Sequence, residues 1–111
     1  MKLRMYNYCR VTELYELEID EQYAKSLTDH FKSIAVHPEQ IPTITVEMIK
    51  EAWRGEEPEE LNFEAKGYND SAYTTNLYEE IRDCVCDNVW SGYVEVIDGE
   101  SVDTDYELID D

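Results

Sequence analysis

At 111 residues the chain has the length of one ordinary domain. It carries 27 Asp and Glu against 9 Lys and Arg, a net charge of −18, beyond the magnitude of about 2–8 that suits a small soluble domain. That balance argues against nucleic acid or an anionic membrane as a direct partner and favours a basic protein surface. A hydrophobic fraction of 42% argues against disorder, and three cysteines argue against a secreted disulfide scaffold. Lys2 and Arg4 lead into Tyr6, Asn7, Tyr8 and Arg10 rather than an apolar signal core. No apolar run approaches the ~20 residues that span a bilayer. A cytoplasmic protein is expected.

In chain order, Leu3–Ile19 reads as extended. Leu3, Met5, Cys9 and Val11 alternate, as do Tyr15, Leu17 and Ile19. Glu13 interrupts the apolar face, so a bulge or break is predicted near Thr12–Leu14, in one long bent strand or two short ones. Asp20 is the candidate N-cap of a first helix whose stripe is Tyr23, Leu27, Phe31 and Ile34. Ala35–Ile41, with Pro38, reads as a loop. Thr45 is the candidate N-cap of a second helix, with Ile44 and Ile49 at staple spacing, Ala52 and Trp53 on its apolar face and Gly55 at its end. Glu56–Glu60 is a charged connector. Leu61, Phe63 and Ala65 alternate with polar residues in a short strand, and Gly67–Asp70 is a turn. Asn76 and Glu79 fit a capping box before a third helix with Leu77, Ile81, Cys84 or Val85, and Asn88 or Val89 inward. Gly92 ends it.

Tyr93–Asp111 contains no Lys or Arg and carries a turn signal at Asp98-Gly99. A two-residue loop would set Ile97 against Glu100, Glu95 against Val102 and Val94 against Asp103. A three-residue loop, Ile97–Gly99, pairs Val96 with Glu100 and Val94 with Val102, and gives Gly99 the left-handed position of a turn with a bulge. This register is preferred, because a one-residue slip would turn the second strand over. Val102, Thr104, Tyr106 and Leu108 then share one face. Asp103, Asp105 and Glu107 share the other, in a row spaced by about 6.8 Å. DNA also presents a regular row, one charge per ~3.4 Å of axis on each strand. Acids that merely guard a solvated edge strand are the competing explanation. The elements together predict an α+β fold: a mainly antiparallel sheet, about three helices packed on one side, and a C-terminal β-hairpin, in a single domain over 1–111.

Catalytic and metal signatures are absent. Cys84-Val85-Cys86 lacks the usual zinc spacing, and on a helix its thiols diverge by about 200°. His30 and His37 lie seven apart across a helix end. Asp103, Asp105 and Glu107 begin like a calcium loop, but Leu108 stands where glycine is required. No serine sits in a glycine-flanked turn, and the four glycines make no phosphate cradle. No enzyme, cofactor or metal site is therefore expected. Nine tyrosines are an excess suited to an interface, and about half are expected to complete the core.

After Arg82 the chain holds ten acids and no Lys or Arg: Asp83, Asp87, Glu95, Asp98, Glu100, Asp103, Asp105, Glu107, Asp110 and Asp111. The first eight of these, with Tyr93, are the candidate partner-binding residues. In size, charge, dense tyrosine and this acidic end the chain resembles phage-encoded anti-CRISPR and anti-restriction proteins that imitate DNA. More distantly it resembles the acidic immunity proteins of bacterial nuclease toxins. The resemblance lies in composition and size, without a shared motif, and it carries over no residue roles. It implies occlusion of a basic nucleic-acid-binding protein, a nuclease or similar, without chemistry. The alternative, without nucleic-acid mimicry, is an acidic immunity protein or a structural or regulatory interaction module that self-associates, for example as a homodimer, through an apolar strand face or tyrosine patch.

Overall fold

The computed structural model describes residues 1–8, 11–97 and 106–109, with 70, 106, 107 and 109 described by their backbone alone. The elements are β1 (Lys2–Tyr8), β2 (Thr12–Glu18), α1 (Glu21–Ile34), α2 (Val46–Trp53), β3 (Asn62–Lys66), β4 (Ala72–Asn76), α3 (Leu77–Trp90), β5 (Tyr93–Ile97) and β6 (Tyr106–Ile109). Every described strand pairing is antiparallel, and the fold is α+β. The chain divides into two compact units, Met1–Ile19 with Val85–Asp111, and Asp20–Cys84; the boundary falls within α3.

The first unit holds a four-stranded sheet in the order β5-β2-β1-β6. β1 and β2 form a hairpin with Tyr8 opposite Thr12 and Lys2 opposite Glu18. Of the two predicted alternatives, two strands form, β1 ending at Tyr8 and β2 beginning at Thr12, and a register shift of the sheet falls between Leu14 and Tyr15, beside the predicted bulge or break near Thr12–Leu14. Glu13 does not interrupt the strand, because it lies opposite Asn7 and accepts that side chain's amide at 3.0 Å.

Among the described residues, β5 and β6 occupy opposite edges of this sheet, β5 on β2 and β6 on β1. The β1–β6 register is defined. Against β1, Leu108 falls opposite Leu3, Tyr106 opposite Met5, and Glu107 opposite Arg4. An apolar cross-strand pair such as Leu3 with Leu108 is worth about 0.2–1 kcal/mol. The loop Ile97–Gly99 and the partners Glu100, Val102 and Thr104 lie wholly or partly outside the described residues.

On the other edge, the β2–β5 register passes from Leu14 opposite Glu95 to Tyr15 opposite Tyr93, so Val94 is the extra residue of a bulge.

In the second unit, the Asp20 side chain accepts the N–H of Tyr23 at 2.8 Å and caps α1. Leu27 and Phe31 of the predicted stripe are buried together with Ala24; Tyr23 and Ile34 are half-buried. The buried Thr28 hydroxyl donates to the Ala24 carbonyl at 2.9 Å and accepts the N–H of Ile44 at 3.0 Å, which ties the segment before α2 to α1. Thr45 caps α2 by accepting the N–H of Met48 at 3.2 Å. Gly55, at φ 77°, closes α2: its N–H reaches Ala52 and that of Glu56 reaches Glu51, the paired bonds of a Schellman motif.

Phe63 and Ala65 of β3 are buried as expected, and the Phe63 ring meets Phe31 edge-on at 6.3 Å. β4 is an addition to the expected strands. It pairs with β3 across a 3-10 turn, Tyr68–Asp70, in which Asn69 takes a left-handed conformation, φ 57°. Asn76 caps α3, its side-chain oxygen accepting the N–H groups of Tyr78 at 2.8 Å and Glu79 at 3.4 Å.

Candidate acidic docking surface

α3 has two unlike faces. Ile81, Val85 and Val89 step by four and are fully buried. Glu79, Asp83 and Asp87 also step by four, displaced by two residues, or about 200° of helix rotation. All three are exposed. Successive carboxylates in this row rise by about 6 Å along the helix. Trp90, three residues beyond Asp87, ends the row on the same side and is 45% exposed. Among the described residues, none of the three acids forms an ion pair.

Several cations are held elsewhere. In the first unit the Arg4 guanidinium donates to Glu16 at 2.9 Å, Lys2 lies 3.8 Å from Glu16, and the N-terminal ammonium lies 2.9 Å from Glu18. Partial burial works against the Arg4 charge, but the Glu16 hydrogen bond and charge, with Tyr6, outweigh it and hold its pKa above the ordinary value. In the second unit Arg54 lies between Glu47 and Glu56, and Lys50 lies 3.8 Å from Glu47. Arg82 borders a recess of about 110 Å³ with Glu56, Glu57 and Glu79. Burial, then the charges of Glu51 and Glu59, pushes the Tyr78 phenol up.

The candidate partner-binding residues are only partly brought together. Asp83 and Asp87 stand one turn apart on α3. Tyr93 and Glu95 are exposed on β5. Glu107 lies in β6 at the opposite sheet edge, three strand spacings or ~14 Å away, so the expected acidic hairpin does not join it to Glu95. Asp98, Glu100, Asp103 and Asp105 lie outside the described residues. In the sequence Glu79 reads only as a capping residue, and Trp90 carries no marked role. The steps of four, four and three through Glu79, Asp83, Asp87 and Trp90 would have found both.

Of the tyrosines with described side chains, only Tyr78 is buried; Tyr6, Tyr15 and Tyr23 are half-buried, and Tyr8, Tyr68, Tyr73 and Tyr93 are exposed. The core thus takes fewer than the half expected, because leucine, isoleucine, valine and phenylalanine fill it.

A groove of about 580 Å³ in the second unit is lined by Lys25, Lys32, Glu21, Asp29 and threonines, without a histidine or cysteine. His37 lies 3.7 Å from both Glu39 and Glu64 at an exposed position. Among the described residues no cluster of three or more His, Cys, Asp or Glu could hold a metal ion. No described helix is long and apolar enough to cross a membrane. No family model, curated protein or solved structure matches the chain.

Proposed function

We propose that this chain is an acidic inhibitor that docks on the cationic, nucleic-acid-binding surface of a target protein, a nuclease or similar, by charge mimicry. It would act in the cytoplasm, that of the host cell if it is phage-encoded, in the manner of the anti-CRISPR and anti-restriction proteins it resembles. The observation that carries this reading is the exposed, regularly spaced row Glu79–Asp83–Asp87 on α3, on a chain of net charge −18. A groove built for phosphates offers Lys and Arg side chains at short intervals, and a row of fixed carboxylates can take the place of the backbone there. The field of the whole chain draws such a surface in. The inhibition is by occlusion: no bond is made or broken.

The test is competition. A fluorescent duplex is bound to each of a panel of purified basic nucleases, without their metal, and the protein is titrated in. Release of the duplex at low salt, lost at high salt, is the expected result. Failure to displace it from any of them at low salt would remove the reading.

A second reading, an interaction module without mimicry, is favoured by the exposed Tyr93, Val94 and Val96 of β5. It predicts association that salt barely changes.

A further inference from the structure

Three aromatic rings from three elements of the first unit meet at the β5 edge of the sheet. Tyr15 of β2 meets Trp90 edge-on, with centroids 4.9 Å apart and planes at 62°. It meets Tyr93 in the same way at 5.7 Å and 70°. The bulge at Val94 makes this possible. It sets Tyr93 opposite Tyr15 and Val96 opposite Glu13, two β2 residues that share a face. Tyr93 and Val96 therefore also share that face. Trp90, Tyr93 and Val96 are 45, 54 and 42% exposed, so the cluster is built but only half covered by the described residues.

Charge selects what would cover it. A second copy would bring another −18 to the same place, and like charge opposes that association. A neutral apolar partner would leave the acids beside the rings unused. Asp87 precedes Trp90 by three residues on α3, which puts their Cβ atoms about 5–6 Å apart. Aromatic faces beside a carboxylate suit a guanidinium, which is planar, weakly hydrated and able to stack while it donates to an acid. An ammonium is compact and strongly hydrated, and it gains less from the rings.

We propose that Trp90 and Tyr93 form a receptor for an arginine side chain of the partner's basic surface, with Tyr15 as the positioning residue between them and Asp87 as the counter-charge. The identity of the partner rests on the charge-mimicry reading; the preference for arginine does not.

The test uses the whole chain and two labelled nonapeptides, one of arginine and one of lysine, followed by fluorescence anisotropy at equal salt. The wild type is expected to bind the arginine peptide about fivefold more tightly than the lysine peptide. Trp90→Ala, and separately the exposed Tyr93→Ala, should bring that ratio close to one while leaving lysine-peptide binding in place. Asp87→Asn should weaken both peptides. Circular dichroism and a thermal melt check that each variant folds, and Trp90→Leu, which keeps apolar bulk, should lose the preference as Trp90→Ala does. Equal affinities in the wild type, or a ratio unchanged in Trp90→Ala and Tyr93→Ala, would overturn the proposal. So would a wild-type dimer in sedimentation velocity that Trp90→Ala dissolves, since the rings would then face a second copy. Salt-sensitive binding of both peptides without discrimination leaves charge mimicry standing and removes the receptor. An arginine preference in a protein that never displaces DNA does the reverse.

Discussion

The carbonyl oxygen of Gly92 accepts the backbone N–H of Glu16 at 2.9 Å, where α3 gives way to β5. The Gly92 N–H in turn donates to the Val89 carbonyl at 2.9 Å. A Cβ at this position would run into the Glu16 carbonyl. The collision partner is backbone, so relief requires the strand to move. Gly92→Ala is expected to cost about 1–3 kcal/mol, as overpacking does, measured by urea unfolding. A loss below about 0.5 kcal/mol would show that the junction yields readily.

Trp53 closes the apolar face of α2 and is 6% exposed. Truncating a buried ring removes its transfer free energy and leaves a cavity. Trp53→Ala is expected to cost ~3–5 kcal/mol in denaturant melts. A loss under ~1 kcal/mol would contradict the packing of this helix.

Tyr78 sets an alkaline limit. Its phenol is raised above the ordinary 10.0 by burial and by Glu51 and Glu59. A pKa higher in the folded chain than in the unfolded one means the folded state keeps its proton longer. The associated stability is whole below pH 10 and is lost as pH rises from there through the folded value. Stability should therefore decline above pH 10, and Tyr78→Phe should flatten that part of the decline. An unchanged slope in the variant would sink this assignment.

Self-repulsion among 27 acids should make stability salt-dependent. Raising NaCl from about 20 mM to about 500 mM shortens the screening length severalfold and should raise Tm. The surface ion pairs Lys2–Glu16 and Arg54–Glu56 would weaken at the same time, but exposed pairs contribute little. A lower Tm in high salt would mean that attraction, not repulsion, dominates the surface.

Local signals were legible in the sequence, and partner choice was not. Asp20, Thr45 and Asn76 declare helix starts because each acts on N–H groups two or three residues away. Gly55 declares a stop through its own backbone conformation. Asp98-Gly99 is equally local, and it suggests a hairpin. Which strands pair is decided by distant residues: β6 lies on β1, with Leu108 opposite Leu3. β4 carries no alternation to read, because Ala72, Tyr73 and Thr74 are all exposed. The acidic row on α3 was legible in principle. It hides when a helix is read only for its buried face, since Glu79 serves also as a capping-box residue and Trp90 resembles one more core position.

The most direct measurement separates charge pattern from net charge. Two triple variants each remove three negative charges. One is Glu79→Gln, Asp83→Asn, Asp87→Asn; the other is Glu21→Gln, Asp29→Asn, Glu57→Gln, at exposed positions off α3. Each is titrated against a labelled duplex held by a basic nuclease that the wild type displaces. The account predicts that the α3 variant loses about tenfold or more in apparent affinity, while the other stays within about twofold of wild type. Equal losses in the two, or none in either, would contradict it.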